Sequence, residues 1–112
     1  MPGLPNMQGM MKQFQKMQEA MARVQQELET RTVAADAGGG MVSVTANGKQ
    51  RLTAIHIDRE VVNPADTDML EDLVLAAVNK ALEESAKMAQ EEMTRATGGM
   101  LPNIPGLNMP GL

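Results

Sequence analysis

Gly38-Gly39-Gly40-Met41-Val42-Ser43-Val44-Thr45-Ala46-Asn47-Gly48-Lys49-Gln50-Arg51-Leu52-Thr53-Ala54-Ile55-His56-Ile57-Asp58 is the stretch on which the reading of this chain turns. Val42, Val44 and Ala46 alternate with Met41, Ser43 and Thr45, a period of two that lets a strand have one apolar and one polar face. Asn47-Gly48 is a strong hairpin signal, because both residues tolerate the positive φ of a type I′ turn. Leu52, Ala54, Ile55 and Ile57 supply the returning strand. Their apolar phase slips between Ala54 and Ile55, so either a bulge re-aims the strand or both of its faces are covered. The triple glycine is a second tight turn, and it implies an earlier strand entering over Thr30 to Asp36. It lacks the Lys-Ser/Thr of a phosphate loop and precedes a strand, not a helix.

Outward from this sheet the period changes. From Met7 to Glu29, Met7, Met10, Met11, Phe14, Met17, Met21, Val24 and Leu28 share one broad helical stripe. Lys12, Lys16 and Arg23 fall on the opposite face, within roughly 40° of one another. A helix of this length spans roughly 35 Å, more than a three-stranded sheet is wide, so part of it should project or meet another chain. On the other side, Asn63-Pro64 reads as a cap and the start of a turn, and Asp68 with Glu71 as a capping box. A second helix follows from about Asp68 to Ala96. Leu70, Leu73, Val74, Ala77, Val78 and Ala81 form its apolar face. Beyond Leu82 it turns polar and acidic, and there it is expected to reach solvent or pack loosely. Gly98-Gly99 should end it.

The expected fold is therefore α+β: a small three-stranded antiparallel sheet flanked by long N- and C-terminal helices. The boundaries are a flexible 1–6, one domain over 7–99 (helix 7–29, strands about 30–36, 41–47 and 50–57, helix about 68–96) and a mobile Pro/Gly tail over 100–112. The Pro-Gly-Leu units of that tail echo Pro2-Gly3-Leu4; a docking motif is the alternative to plain mobility. Two helices and three short strands leave too little surface for both apolar stripes, and a small sheet has open edges. Self-association into a two-fold homodimer answers both.

Composition narrows the function. The 112 residues carry a net charge of −4, so any nucleic-acid contact must come from a local basic surface and not from the total. With no Cys and a single His, no disulfide, thiolate centre or multi-histidine metal site can form. His56 lies on the face of its strand opposite Ile55 and Ile57, with no positioned nucleophile or orienting partner, and nothing else resembles paired acid–base groups. No enzyme activity, cofactor or small-molecule substrate is expected. No run approaches the 18 or so apolar residues of a membrane span, and the start lacks signal-peptide character; a cytoplasmic location is expected. The remaining lead is basic: Lys12, Lys16 and Arg23 in a stripe, Arg31 after the same helix, Lys49 and Arg51 at the hairpin. Doubled in a dimer, these could hold the phosphates of a duplex without reading bases.

Met10-Met11-Lys12-Gln13, Gln15-Lys16-Met17-Gln18-Glu19, Gly39-Gly40-Met41-Val42-Ser43-Val44-Thr45-Ala46-Asn47-Gly48, Ile55-His56-Ile57-Asp58 and the run from Met69 to Ala81, with Gly98-Gly99-Met100 after it, resemble in that order the YbaB/EbfC family of nucleoid-associated proteins. The resemblance implies an α-β-β-β-α domain that dimerises, with paired helices projecting like the arms of tweezers. It implies binding of double-stranded DNA with a change in DNA conformation, and a part in nucleoid organisation and gene regulation. It carries Lys12 and Lys16 over as phosphate contacts; Arg23, Arg31, Lys49 and Arg51 rest on the charge map. The competing class is a dimeric protein–protein module, using the Met stripe and the Pro-Gly-Leu tails, whose DNA contact is incidental.

Overall fold

The computed structural model describes residues 6–98; the readings of residues 1–5 and of the 99–112 tail lie outside them. The order is α1 (Asn6–Thr30), β1 (Thr32–Ala37), β2 (Val42–Asn47), β3 (Leu52–Ile57), a 3-10 turn (Arg59–Val61) and α2 (Asp68–Thr97). The strands form one antiparallel sheet in the order β1-β2-β3.

Val42, Val44 and Ala46 of the central strand are fully buried, as their alternation requires, and with Ala35 they pack against Ala77 and Ala81 of α2. The small α2 residues let the helix lie close on β1 and β2. The Leu70 to Ala81 face is thus covered by the chain's own sheet and needs no second subunit. Ala34, Asp36, Ala54 and His56 are exposed on the other side of the sheet. The architecture is two layers, with α2 on one face only.

The phase slip in the returning strand is a bulge. Thr45 pairs with Ala54 but Ala46 pairs with Leu52, so Thr53 is the extra residue. That shift puts Leu52, Ile55 and Ile57 beside Ala46, Val44 and Val42, on the α2 side. Yet Leu52 and Ile55 remain 41% and 49% exposed, because α2 sits over the other two strands.

Asn47-Gly48 makes the hairpin by a route other than a type I′ turn. The one positive φ there is that of Gln50, at 58°. Asn47 Oδ1 accepts from the amides of Lys49 and Arg51 at 2.9 and 3.1 Å, and Asn47 Nδ2 donates to the carbonyl of Glu29. Gly48 is required by proximity: its N–H donates to the carbonyl of Leu28 at 2.8 Å, and an added Cβ would come within 2.8 Å of Leu28 Cβ and 3.1 Å of Leu28 Cα. Gly48→Ala should therefore destabilise the fold by about 1–3 kcal/mol, as over-packing of a close contact does, measured by urea denaturation. By contrast Gly38, Gly39 and Gly40 do serve their turn through positive φ, at 64°, 67° and 94°.

Three further expectations are corrected. First, the last turn of α1 takes the Arg31 amide onto the Glu27 carbonyl; helix thus occupies Thr30, and β1 runs from Thr32 to Ala37. Likewise Met41 and Gln50 belong to turns and not to strands. Second, no Asp68–Glu71 capping box forms. Thr67 is the N-cap without a side-chain bond, and Asp66 Oδ1 accepts from the Asp68 amide at 3.3 Å. Third, the far half of α2 is packed. Ser85, Met88, Glu92 and Thr97 are buried there, and Met88 joins Val24 and Leu28 of α1 in a second core. Ser85 Oγ donates to the Asn47 carbonyl at 2.5 Å and accepts from the Gln50 amide at 3.1 Å, so the hairpin loop is bound to α2 as well as to α1. The polar letters there conceal a face that continues Ala77 and Ala81 at helical spacing.

Candidate nucleic-acid interface

α1 packs by its C-terminal half alone. Val24 and Leu28 are buried, while Met7, Met10, Met11 and Phe14 are 62%, 66%, 63% and 56% exposed. The N-terminal half is thus an arm carried clear of the sheet. Lys12 and Lys16 are exposed on it, opposite the Met stripe. Arg23 is exposed on the same face of α1, roughly 16 Å along the helix from Lys12, but in the packed half, where it borders the cleft with Glu92, Arg95 and Ala96 of α2. None of the three forms an ion pair among the described residues. Glu19 falls on the same face between Lys16 and Arg23 by helical spacing, a negative interruption that the charge reading passed over.

The other three cations gather where α1 meets the hairpin, and two of them are engaged. Gly48 N–H donates to the Arg31 carbonyl as well, which draws the loop carrying Lys49 and Arg51 to the helix end. Lys49 Nζ donates to Gln25 Oε1 of α1. Arg31 is ion-paired with Glu92 of α2, which also holds Arg95. Arg51 is exposed with no ion pair among the described residues. The six residues therefore divide into an open stripe along α1 and a basic cluster at the arm's base.

Glu92 is 8% exposed. Burial by itself pushes its pKa up, but hydrogen bonds and charge from Arg31, then from Arg95, outweigh that and hold it below its ordinary value of 4.5. A group with a depressed folded pKa adds stability that is fully present above its unfolded pKa and is lost as pH falls through the folded value. Thermal unfolding followed from neutrality to below the ordinary carboxylate range should show this acid-side loss, and Glu92→Gln should flatten it. The sequence offered one signal for Glu92: it follows Ala77, Ala81, Ser85 and Met88 on the buried face at helical spacing.

No helix in the described residues is long and apolar enough to cross a membrane, and among them no group of His, Cys, Asp and Glu could hold a metal ion. His56 is exposed on the outer face of β3, opposite Ser43.

A sequence model of the YbaB/EbfC DNA-binding family matches residues 2–100. The chain belongs to the YbaB/EbfC DNA-binding family. It is 55% identical to a nucleoid-associated protein of Moorella thermoacetica, over 93% of this chain and 98% of that one. It is 51% identical to a nucleoid-associated protein of Syntrophobacter fumaroxidans, over 91% of each. A crystal structure of an uncharacterized protein from Helicobacter pylori superposes with a TM-score of 0.66 at 20% identity, covering 76% of this chain and 89% of that one. That likeness shows that this YbaB/EbfC chain shares its fold with an experimentally determined structure.

Proposed function

We propose that this YbaB/EbfC chain is a nucleoid-associated protein of the bacterial cytoplasm. Two copies pair and hold duplex DNA by its phosphates, with little readout of bases, altering its conformation and contributing to nucleoid organisation and gene regulation. It is a binding protein and not an enzyme. The observation that carries the reading is the open face of α1: Lys12 and Lys16 stand exposed on the projecting arm and Arg23 on the same face where the helix begins to pack on α2, none of them ion-paired with a described carboxylate. Cations spaced along a helix face contact phosphates along a backbone, which positions a protein on a duplex without reading its sequence. Lys49 and Arg51 extend the surface at the arm's base, and Arg31 does so to the extent that Glu92 shares it.

One subunit offers too few free cations for tight binding, so the pairing matters. The surface that supports it is the uncovered side of β3, where Leu52 and Ile55 stand 41% and 49% exposed on the α2 side of the sheet. β3 is also an open edge. If the three open α1 cations of each subunit meet phosphates, about six contacts form. Binding should then weaken about a thousandfold between 50 and 200 mM salt. A salt-titrated mobility assay on duplexes of unrelated sequence tests this. Salt-independent retention, or retention of one sequence only, would overturn it.

A further inference from the structure

The Met stripe of the arm is not used by the DNA face, which lies on the opposite side of α1, nor by the strip beside β3. It is nevertheless built as a contact surface: Met10, Met11 and Phe14 line a shallow groove with Gln15 and Gln18. Its position indicates the occupant. α1 and α2 pack antiparallel, with Val24 and Leu28 against Met88, Met93 and Ala96, and Ala20 borders the same cleft as Ala96. α2 therefore runs along α1 toward the arm and ends at Thr97, one residue past the Ala96 that shares a cleft with Ala20. The stripe continues past that point, from Met17 to Met7, over roughly 15 Å.

The chain itself continues there too. Fourteen residues follow Gly98; extended, they reach about 46 Å, three times the distance required. From Gly99 to Leu112 none is charged, and Met100, Leu101, Ile104, Leu107, Met109 and Leu112 are apolar. Leu101, Ile104 and Leu107 recur every third residue among three prolines. On a polyproline II path, with three residues per turn, they share one edge at a repeat of roughly 9 Å. Met10 to Met17, or Met7 to Phe14, repeats along α1 at about 10 Å. The rim of the groove is Gln and not Lys or Glu, which suits an uncharged segment bearing Asn103 and Asn108.

We infer that residues 99–112 of each chain dock on the Met7–Met17 stripe of the same chain's α1, covering the apolar side of the arm and leaving Lys12, Lys16 and Arg23 open. This does not depend on what those cations bind. The chain has no Cys, so Asn108→Cys, next to the apolar edge and not on it, carries a single nitroxide label on full-length protein. Methionine methyl spectra should show Met7, Met10 and Met11 losing most of their intensity, while Met69, at the far end of α2, keeps its own. A second sample mixes isotope-labelled, spin-free chains with spin-labelled, isotope-free ones; there the arm methyls should stay sharp. Arm methyls as intense as that of Met69 in the first sample would overturn the inference, Met100 and Met109 broadening in either case as chain neighbours of the label. So would arm broadening in the mixed sample, which would assign the stripe to another copy.

Discussion

Lys12→Glu with Lys16→Glu should abolish retention of duplex DNA and leave the folded protein intact. Both side chains are exposed on the free half of α1 and pair with no described carboxylate, so the fold does not depend on them. Surface changes of this kind shift stability by no more than about 0.5 kcal/mol. Binding is a different matter. In the proposed pair of chains the double variant removes four phosphate contacts of about six. At 0.1 M salt each contact, through release of its counterion, is worth close to tenfold in affinity. A loss of at least a thousandfold is expected, with repulsion from the new carboxylates adding to it. Lys49→Glu, at the arm's base where Lys49 Nζ already donates to Gln25, should cost less. A mobility assay beside a thermal melt separates the outcomes. An unchanged affinity with an unchanged melt removes the arm from the interface.

How much of this was legible depends on which interactions are local. The two helices, the triple-glycine turn and the alternation of Val42, Val44 and Ala46 follow from period and from φ, properties of neighbouring residues. What escaped lies between elements. Asn47-Gly48 announces a hairpin, but the sequence cannot show Leu28 standing where a Cβ would go, so the glycine was assigned to the wrong cause. Ser85 and Glu92 looked like solvent residues because polarity was weighed above position. Their burial is explained by partners 35 residues and more away, the hairpin carbonyl of Asn47 and the guanidinium of Arg31. The same limit applies to the cations. Six were visible, but only the structure separates the open three of α1 from Arg31 and Lys49, which have partners within the chain. The capping box failed for a related reason: Asp66 and Asp68 both supply an acceptor, and spacing alone does not say which is used.

If two copies pair along β3 as proposed, an apolar side chain left in water there has the largest consequence. Ile55 faces the α2 side of the sheet, pairs with the fully buried Val44 and still stands half exposed. In the free subunit Ile55→Asp is a surface change and should cost little. Across a two-fold contact each chain would place that carboxylate in the partner's apolar strip, and an uncompensated buried charge costs about 3–5 kcal/mol. Two per pair raise the dissociation constant by four powers of ten or more, since about 1.4 kcal/mol is tenfold. Sedimentation at micromolar concentration should find single chains in place of pairs. DNA retention should fall with it, because only about three phosphate contacts remain to one subunit. His56→Asp is the control: the next residue on the same strand points to the outer face, and there the pair should persist. If Ile55→Asp sediments as the parent does, the strip beside β3 is not where two chains meet. If it separates the chains and DNA affinity stays whole, the arms act singly.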